Sequence, residues 1–454
     1  MKVSRYNLIY PIFNSINFIV YNSLSGALAE IEPSTMDILE SSDKISITMF
    51  EKNSDLLEKL TIGGFIIDEK INELSVVKQR FLEKRNDLSV LNLTISPTLD
   101  CNFDCFYCYQ ERDNNLMSLN IQDSITKLIL DRRDVKKINV CWYGGEPLLS
   151  FNIIKYISNN IIDICHDKNI KYSSSMISNG YLLDEEKVDI LKDFNLKNIQ
   201  ITIDGPPETH NKRRKLKECH KETFWKILEN IKFLINQNIS VTIRINVDNS
   251  NVSNIEKFID ILVKQKINKV SVYLGQLKPY SSRVDRLENF FLNQEEMAYW
   301  DLKLQQLLAD KGITSDRDIH FPSQKSHYCA ADLKNSFVID HNGNLYKCWA
   351  ELGDLSKCIG NIIDLLGKKA NSSIELRNLK KWEAWTPFED YKQCSMCKIL
   401  PICMGGCAFS GMNIHKNIPE CIKFKFNLKE TLNRKINYRS ILSPSNSSAL
   451  EVKK

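Results

Sequence analysis

The sequence predicts an α/β fold in which an open, partial (β/α)6 barrel of the TIM type occupies residues 89–290. Six apolar runs rich in β-branched residues follow one another there, with helical patterns between them. Strands that alternate with helices of this length indicate βαβ units and a parallel sheet. Six units are too few to close an eight-stranded barrel. Since ligands bind at the carboxyl ends of such strands, the chemistry is expected there.

The elements of this predicted barrel follow from the alternating pattern. The predicted strands are Val90–Ile95, Ile138–Tyr143, Ser174–Ser178, Ile199–Ile203, Val241–Val247 and Val270–Leu274. The predicted helices between them are Ser118–Arg132, Leu149–Asp167, Asp184–Phe194, Glu222–Asn236 and Val252–Lys266. A further helix is predicted at Asn293–Lys311, within a linker that spans 291–324. Beyond it, an Asn-Gly turn between Ser336–Asp340 and Leu345–Lys347 predicts a β-hairpin.

Residues 1–88 have a different pattern, in which short apolar runs alternate with turns, and they are predicted to form a separate domain. Two predicted strands, Leu8–Phe13 and Phe18–Tyr21, and a small wing at Gly63–Asp68 indicate a winged-helix-like unit. Residues 6–29 carry no charge, which is a feature of membrane-spanning helices. The asparagines, proline and glycine inside that run favour two strands and a turn instead. No membrane span is therefore expected.

Composition and charge narrow the function classes. The chain has 454 residues and a net charge of +5, which gives no general nucleic-acid signal. The basic run at 212–217, which includes Arg213 and Arg214, is most simply a solvated face. There are 14 cysteines and no signal-peptide pattern, and the cytosol keeps thiols reduced. We therefore expect a cytoplasmic protein whose cysteines are ligands or catalytic groups and not disulfides.

Three cysteines share one loop after the first predicted strand, in the sequence Cys101-Asn-Phe-Asp-Cys105-Phe-Tyr-Cys108. Fe–S clusters are held by cysteine thiolates, so a cluster of four irons on three cysteines keeps one iron open for a group that is not protein. A structural zinc site is the competing interpretation, but such sites normally have four protein ligands and this loop supplies three. The spacing therefore favours an Fe–S cluster with an open iron.

With Tyr107 before its last cysteine, this C-x3-C-x2-C loop resembles the signature of the radical S-adenosylmethionine (radical SAM) superfamily. The resemblance implies that the three thiolates hold a 4Fe–4S cluster. It also implies that the methionyl amine and carboxylate of S-adenosylmethionine chelate the open iron. One-electron reduction of the cofactor then gives methionine and a 5′-deoxyadenosyl radical. A reductant such as flavodoxin or ferredoxin is implied as a partner.

Motifs at the ends of the later strands fit the same resemblance. It implies the following cofactor-binding residues: Tyr107, Gly144, Gly145, Glu146, Asn179, Thr202, Asp204, Arg214 and Leu274. Glu146, in a Gly-Gly-Glu-Pro motif whose glycines admit a close ligand, would accept from the methionyl amine. Thr202, in place of the more usual serine, and Asp204 would contact the ribose. Arg214 would contact the methionyl carboxylate, since guanidinium suits carboxylate, and Leu274 would pack on adenine.

A second cysteine group lies within 325–425. It reads Cys329-x13-Gly343-x4-Cys348, then Cys394-x2-Cys397-x5-Cys403-x3-Cys407, then Cys421. The pattern resembles the SPASM extension of radical SAM enzymes that modify peptides and proteins, which carries two auxiliary 4Fe–4S clusters. By motif position the second auxiliary cluster would be held by Cys394, Cys397, Cys403 and Cys421. The first would be held by Cys329, Cys348 and Cys407, which gives three 4Fe–4S clusters in all.

The first auxiliary cluster is one ligand short. Fully ligated family members have an extra cysteine near the Cys329 position, and this sequence has none there. Either Cys358 is the fourth ligand or the site is open, and we favour the open site. An open iron would bind a substrate cysteine thiolate and lower its pKa. The other scattered cysteines, Cys141, Cys165 and Cys219, are expected to be small buried hydrophobes.

The resemblance implies a peptide maturase of the sactipeptide or ranthipeptide type, which installs a cysteine thioether in a ribosomally made precursor peptide. The N-terminal domain would grip the leader of that peptide, whose strand would add to the edge of its sheet. In anaerobic sulfatase-maturating enzymes, an aspartate base directly follows the Gly-x4-Cys cysteine, where this chain has Trp349. Sulfatase maturation is therefore an alternative, beside carbon–carbon cross-linking and epimerisation.

A non-catalytic Fe–S electron carrier is a distant alternative, since a carrier would not need the S-adenosylmethionine motifs. The last segment, 426–454, is predicted to be a polar tail that begins as a helix and is disordered from Ser443 onward. Neither this tail nor the rest of the chain suggests nucleic-acid binding.

Overall fold

The structure is a computed structural model that describes residues 1–41, 54–218, 221–314, 320–367, 373–414 and 418–442. The chain divides into two compact units. The core unit comprises 85–317 and 329–385, and the peripheral unit comprises 1–84, 318–328 and 386–454. Compact units need not coincide with homologous domains, so the predicted domain boundaries stay predictions. Cys219 and Ser443–Lys454 lie outside the described residues.

The strands and helices are numbered in chain order. The strands are β1 (Lys2–Val3), β2 (Asn7–Pro11), β3 (Phe18–Asn22), β4 (Leu28–Ile31), β5 (Ile66–Ile67), β6 (Val90–Ile95), β7 (Phe103–Cys105), β8 (Lys137–Trp142), β9 (Lys171–Ser178), β10 (Leu196–Thr202), β11 (Arg214–Leu216), β12 (Ser240–Val247), β13 (Ser271–Gln276), β14 (Ser336–Ile339), β15 (Asn344–Tyr346) and β16 (Gly360–Asn361). The helices are α1 (Pro33–Ser41), α2 (Ser54–Ile62), α3 (Glu73–Asn86), α4 (Leu119–Leu130), α5 (Phe151–Asp167), α6 (Glu185–Asp193), α7 (Pro207–Arg213), α8 (Phe224–Asn236), α9 (Ile255–Lys264), α10 (Gln294–Asp310), α11 (Ile362–Leu366), α12 (Ser373–Ala384), α13 (Lys392–Met396), α14 (Leu400–Cys403), α15 (Ala408–Asn413) and α16 (Phe424–Leu442).

A mostly parallel, nine-stranded sheet organises the core unit, in the order β13-β12-β10-β9-β8-β6-β14-β15-β16. The six strands predicted from the sequence, from β6 to β13, lie side by side in chain order, and each is parallel to its neighbour. Parallel neighbours need a crossover, and helices supply the crossovers here. The predicted α/β class is confirmed, whereas closure into a partial barrel stays a prediction.

The helices around this sheet bury one stripe each. In α9, the buried side chains are Ile255, Phe258, Ile259 and Leu262, the i, i+3, i+4, i+7 spacing of a helix face. Strand β12 alternates instead, with Val241, Ile243 and Ile245 buried and the residues between them more exposed. The two periods explain why the sequence predicted these elements closely.

The far edge of the sheet was not predicted. β14 pairs in parallel with β6, and β15 and β16 follow it antiparallel, so the predicted Asn-Gly hairpin extends the main sheet. The turn of the hairpin fits its sequence, because Gly343 has a φ of +80° and the Asp340 carboxylate accepts from the backbone of Asn342 and Asn344.

The peripheral unit is built around the three-stranded antiparallel sheet β2-β3-β4, with a second small pair, β1-β5. β3 buries both faces: Val20 packs with Phe65 and Ile66, and Tyr21 packs with a cluster that includes Leu428. The uncharged run at 6–29 therefore contains the two predicted strands as β2 and β3, and also the start of β4, which was not predicted. The winged-helix-like and SPASM assignments stay predictions. None of the described helices has both the length and the hydropathy needed to cross a membrane.

Candidate active site at the carboxyl ends of the strands

The three-cysteine loop starts just beyond the end of β6 and is held by a short antiparallel ladder. β7 pairs with β11 so that Cys105 lies opposite Arg214 and Phe103 lies opposite Leu216. The Arg214 guanidinium carbon is 5.5 Å from the centroid of the Phe103 ring. This ladder brings a buried cation to the cysteine loop from a distant part of the chain.

Glu146 is fully buried beside this loop. Its backbone N–H donates to the carbonyl of Asp100, directly before Cys101, at 2.8 Å. Its carboxylate accepts from the Ser178 hydroxyl at 2.9 Å and from the Asn179 backbone N–H at 2.7 Å. Burial raises the pKa of Glu146 to about 7, although these hydrogen bonds oppose the shift. In the described part of the chain, no cation forms an ion pair with this carboxylate.

Asn179, just after β9, connects this carboxylate to the cysteine loop. Its side-chain amide donates to Asn102 Oδ1 at 2.7 Å and to the Cys101 sulfur at 3.9 Å. The loops after β6, β8 and β9 therefore meet at one point, as expected for the carboxyl ends of parallel strands.

Glycines allow these loops to approach closely. A Cβ on Gly145 would lie 2.0 Å from the Asp100 carbonyl oxygen, and one on Gly144 would lie 2.3 Å from the Ser96 hydroxyl. Gly144 also has a φ of +124°, a conformation open mainly to glycine. The Gly-Gly-Glu-Pro motif is therefore shaped to fit against the cysteine loop.

Tyr107 is the centre of a second, buried network. Its hydroxyl donates to Asp204 Oδ2 at 2.5 Å and accepts from Arg214 Nη1 at 2.7 Å and Asn246 Nδ2 at 3.2 Å. The other Asp204 oxygen accepts from the Asn246 backbone N–H at 3.2 Å. The structure thus brings Tyr107, Asp204 and Arg214 together, whereas the contacts with the cofactor that the sequence predicted for them stay predictions.

The solvated-face interpretation of the 212–217 run is wrong for its two arginines. Lys212 is exposed, but Arg213 is only 5% and Arg214 only 7% exposed. Arg213 pairs with Asp204 at 3.3 Å and with Asp248 at 2.9 Å. These carboxylates follow two different strands, so the run alone gave no sign of them.

His210 supports the backbone of this network. Its Nδ1 accepts from the Asp204 N–H at 3.3 Å, so Nε2 carries the proton and donates to the Thr223 hydroxyl at 3.1 Å. That hydroxyl donates to the Arg214 carbonyl at 2.9 Å. Burial holds the pKa of His210 well below its usual value, with the two neighbouring arginines adding to the shift. A neutral imidazole in this position orders the segment between Asp204 and Arg214.

Two further predicted residues are buried but less tightly placed. Thr202 ends β10, two residues before Asp204, and is 7% exposed. Leu274 lies in β13 opposite Ile245 and is 8% exposed. Their contacts with ribose and adenine stay predictions.

Four cysteines of the second group are neighbours in the peripheral unit. Burial, followed by the nearby sulfurs of Cys403, Cys397 and Cys421, raises the pKa of the Cys394 thiol to about 12. The pKa of Cys403 is raised to about 11 by burial and then by Cys421 and Cys397. The four thiols are near enough to influence one another electrostatically, but no group of three or more His, Cys, Asp or Glu among the described residues is arranged to hold a metal ion, so their assignment to one auxiliary cluster stays a prediction.

Cys329 and Cys348, in the core unit, share one local motif. Each precedes a single 3-10 turn, and its backbone N–H is bound by the carboxylate three residues later, Asp332 or Glu351, at 3.3 and 3.2 Å. In both turns the cysteine sulfur also accepts from the backbone of that third residue. Hydrogen bonds of this kind favour a thiolate. Cys407, the third predicted ligand, precedes α15 in the peripheral unit.

Cys358 is buried and its thiol already has a hydrogen-bond partner. It is 5% exposed, packs with Val338 and Leu352, and donates its thiol to the Gly360 carbonyl at 3.0 Å. Cys165 is likewise a buried residue of α5, as predicted. Cys141 is partly exposed on β8 and was not expected to be.

Residues 95–262 match the model of the radical SAM superfamily. This segment is a radical SAM domain. The chain is also 24% identical over 342 residues to a cysteine-type anaerobic sulfatase-maturating enzyme of Clostridium perfringens strain 13 / Type A, covering 70% of this chain and 88% of that protein. The chain is therefore an enzyme.

Two solved structures have a fold similar to that of most of this chain. One is anSMEcpe with bound AdoMet and a peptide, with a TM-score of 0.60, 20% identity, and coverage of 77% of this chain and 99% of that one. The other is SuiB of Streptococcus suis bound to the precursor peptide SuiA, with a TM-score of 0.51, 15% identity, and coverage of 93% and 98%. At these identities the likeness concerns the fold alone.

The residues of the radical SAM domain fit the cofactors that this superfamily uses. S-adenosylmethionine carries an ammonium and a carboxylate, and the site holds a buried Glu146 without a cation and an Arg214 whose Nε is buried with no partner in the described residues. Burial raises the pKa of the Cys101 thiol to about 12 and of the Cys105 thiol to about 11. Thiols in such a place become thiolates when bound metal supplies positive charge.

Sequence reasoning missed several residues of the radical SAM domain's site. Asn102, Arg213, Asn246 and Asp248 all belong to its hydrogen-bond networks. A usable signal was present, because polar residues follow β12 just as Asp204 follows β10. The hydrogen bonds themselves join distant segments, which no local pattern displays.

Proposed function

We propose that this enzyme modifies a ribosomally made precursor peptide and installs a cysteine thioether in it. The observation that carries the proposal is Cys358, whose thiol is buried and bound to the Gly360 carbonyl. With Cys358 committed to the core, Cys329, Cys348 and Cys407 leave the first auxiliary cluster one ligand short. An iron with one coordination position not filled by the protein can bind the thiolate of a substrate cysteine.

The residue roles in this proposal are those that the resemblance to the radical SAM superfamily implies. Cys101, Cys105 and Cys108 hold the 4Fe–4S cluster of the radical SAM domain. Glu146 binds the methionyl amine and Arg214 the methionyl carboxylate. Gly144 and Gly145 admit the cofactor, Asn179 orders the loop, Tyr107, Thr202 and Asp204 face the ribose side, and Leu274 packs on adenine. Cys394, Cys397, Cys403 and Cys421 hold the second auxiliary cluster.

When bound and reduced by one electron, S-adenosylmethionine supplies the 5′-deoxyadenosyl radical that removes a hydrogen atom from a carbon of the peptide. The cysteine thiol loses a proton, and a carbon–sulfur bond forms between that carbon and the sulfur. One electron would be released in this bond formation, and an Fe–S cluster held by the chain's cysteines would accept it. The chain's residues bind and orient both reactants.

The peptide substrate is supported by the peripheral unit as well. Its sheet β2-β3-β4 has two edges, and a leader peptide would add a strand to one of them. The SuiB structure, whose fold covers most of this chain, contains a precursor peptide. A one-electron donor of the flavodoxin or ferredoxin class and a cytoplasmic location complete the proposal.

A sulfatase-maturase-like protein oxidase is the second candidate, favoured by the Clostridium perfringens relative. The observation against it is Trp349, which stands where those enzymes place an aspartate base. Its indole N–H donates to the Thr94 hydroxyl at 3.0 Å, and its ring lies 5.2 Å from that of Tyr143. An indole held in this way is not a base.

Co-expression with each short cysteine-containing peptide found to be encoded beside this gene tests the proposal. A product that has lost two hydrogens, with the loss located by fragmentation to a cysteine and a second residue, is the expected result. A cysteine oxidised with no cross-link would support the protein oxidase instead. A purified, reconstituted enzyme that forms no 5′-deoxyadenosine with dithionite and S-adenosylmethionine would contradict both candidates.

A further inference from the structure

Arg244 lies on the polar face of the main sheet, one step below the active site. Its neighbours in β12, Ile243 and Ile245, are buried in the core, so alternation points Arg244 to the opposite face, where it is partly exposed. Two residues further along the same face, Asn246 binds the Tyr107 hydroxyl. The backbone of Arg244 is therefore about 7 Å along the strand from that of Asn246.

This face of the sheet is polar across several strands. Side chains of neighbouring strands are hydrogen-bonded in pairs at 2.8 to 2.9 Å: Asn92 with Asn139, Asn139 with Ser173, and Asn198 with Thr242. Tyr273 of β13 reaches across β12 and donates to Gln200 of β10 at 2.7 Å. A sheet face that only packs against helices in the core is apolar. A polar face that leads to strand-end chemistry is suited to holding a polar substrate.

Arg244 has only neutral partners. Its Nε donates to Asn246 Oδ1 at 2.7 Å, and its Nη1 donates to the Tyr273 hydroxyl at 3.5 Å. Among the described residues no carboxylate pairs with Arg244, whereas Arg213 pairs with two. A carboxylate is the best-matched partner of a guanidinium, and none of the described residues supplies one to Arg244.

Gly275 leaves room for the Arg244 side chain because it has no Cβ. A Cβ on Gly275, in the neighbouring strand β13, would lie 2.3 Å from Arg244 Nε. Tyr109, Tyr143 and Tyr280 are near enough to interact electrostatically with the guanidinium. The result is a fixed cation surrounded by phenols and amides.

We propose that Arg244 binds a carboxylate of the peptide substrate on the polar face of the sheet, below the cofactor. The carboxylate belongs either to an acidic side chain or to the C-terminus of the peptide, since both have the same chemistry. This inference rests on the proposed function only in taking the substrate to be a peptide. It would make Arg244 a specificity-determining residue and the substrate an anionic peptide.

Three synthetic probes separate the two sources: Ac-Ala-Glu-Ala-NH2, Ac-Ala-Gln-Ala-NH2 and Ac-Ala-Gln-Ala-OH. Binding to the reconstituted holoenzyme with S-adenosylmethionine is measured by equilibrium dialysis. We expect one of the two anionic peptides to bind roughly tenfold or more tightly than the neutral one. The anionic peptide that binds identifies the source. Equal binding of all three, or no detectable binding of any, overturns the proposal.

Variants show whether Arg244 carries the preference. Arg244→Gln should abolish the preference for the anionic peptide. Arg244→Lys should weaken this preference, because lysine keeps the positive charge but lacks the paired N–H donors of the guanidinium. Arg133→Gln, on an exposed arginine, is the matched control and should keep it. A preference that survives Arg244→Gln overturns the proposal.

Iron content and the visible absorption of the clusters are measured on the same proteins. Arg244→Gln should keep both, which shows that the variant is folded and that the lost preference is local. Absence of S-adenosylmethionine cleavage in the unmodified enzyme would instead contradict the proposed function, and the peptide measurement would still stand.

Discussion

The Tyr107 hydroxyl donates a 2.5 Å hydrogen bond to the Asp204 carboxylate across 97 positions of sequence. The same oxygen accepts from Arg214 and Asn246, so its one donor and both lone pairs are used. Tyr107 stands directly before the last cysteine of the loop, and Asp204 follows the fourth strand of the predicted barrel. A single phenol thereby ties the proposed cluster loop to the proposed ribose side of the site.

Tyr107→Phe tests this link. The change leaves the Arg214 and Asn246 donors without an acceptor in a buried site, and each such loss costs about 1 to 3 kcal/mol. Arg214 then no longer lies where the methionyl carboxylate is proposed to bind. We expect the affinity for S-adenosylmethionine, measured by equilibrium dialysis, to fall about tenfold or more while iron content stays unchanged.

Tyr299→Phe is the matched control for that variant, because Tyr299 is 53% exposed. It should bind the cofactor like the unmodified enzyme. Normal cofactor affinity in Tyr107→Phe would show that the phenol network does not position the binding residues.

Gly145→Ala tests the close approach of the Gly-Gly-Glu-Pro loop to the cysteine loop. The added Cβ would lie 2.0 Å from the Asp100 carbonyl oxygen, so one of the two loops has to move. Overpacking of this kind costs about 1 to 3 kcal/mol. We expect a lower midpoint of thermal unfolding and the loss of one cluster's iron, both measured after reconstitution.

Gly312→Ala separates this steric effect from backbone strain. Gly312 has a φ of +66° but no atom within 4 Å of the position of a Cβ. Its substitution should lower stability slightly, through φ alone, and keep all the iron. If Gly145→Ala kept its full iron content, the cysteine loop would tolerate movement and the tight fit would be unimportant for the cluster.

Much of this site could be predicted because its parts lie at the ends of strongly patterned strands. Glu146 and Asp204 each follow an apolar run, and parallel strands bring such positions to one edge. The pairing of Cys105 with Arg214 could not be predicted, because strands of three residues have no readable period. The parallel pairing of β14 with β6 likewise joins segments that no local pattern relates.

The burial of Arg213 was missed for a related reason. A run of cations is usually solvated, and only the folded chain supplies the two carboxylates, Asp204 and Asp248, that compensate this guanidinium. The sequence showed where charge is located but not how it is paired.

Cys358→Ala tests the open ligand position of the first auxiliary cluster. The variant loses one thiol-to-carbonyl hydrogen bond and a small buried group, so a loss of about 1 kcal/mol in unfolding free energy is expected. Iron content and the visible absorption of the clusters should not change. Cys348→Ala is the positive control and should lose iron. A comparable loss in Cys358→Ala would make Cys358 a ligand and remove the place proposed for the substrate thiol.

Lys347→Met tests whether a cluster lies beside Cys329 and Cys348. Lys347 is 6% exposed, and its ammonium donates to the Ser336 carbonyl at 2.9 Å and to the Leu333 carbonyl. It is also close enough to Cys329 to interact with it electrostatically. A buried positive charge favours the addition of an electron to a neighbouring cluster.

Removing that charge should make the reduction potential of the first auxiliary cluster more negative. If a unit charge lies about 7 Å from the cluster and the effective dielectric constant is about 20, it changes the reduction potential of the cluster by roughly 100 mV. We therefore expect a shift of about 50 to 100 mV, measured by a redox titration followed by electron paramagnetic resonance. The exposed Lys334→Met should leave the potential unchanged, because water screens its charge. Equal potentials in Lys347→Met and the unmodified enzyme would place the cluster away from Cys329 and Cys348, and the proposed thiol site would have to be sought elsewhere.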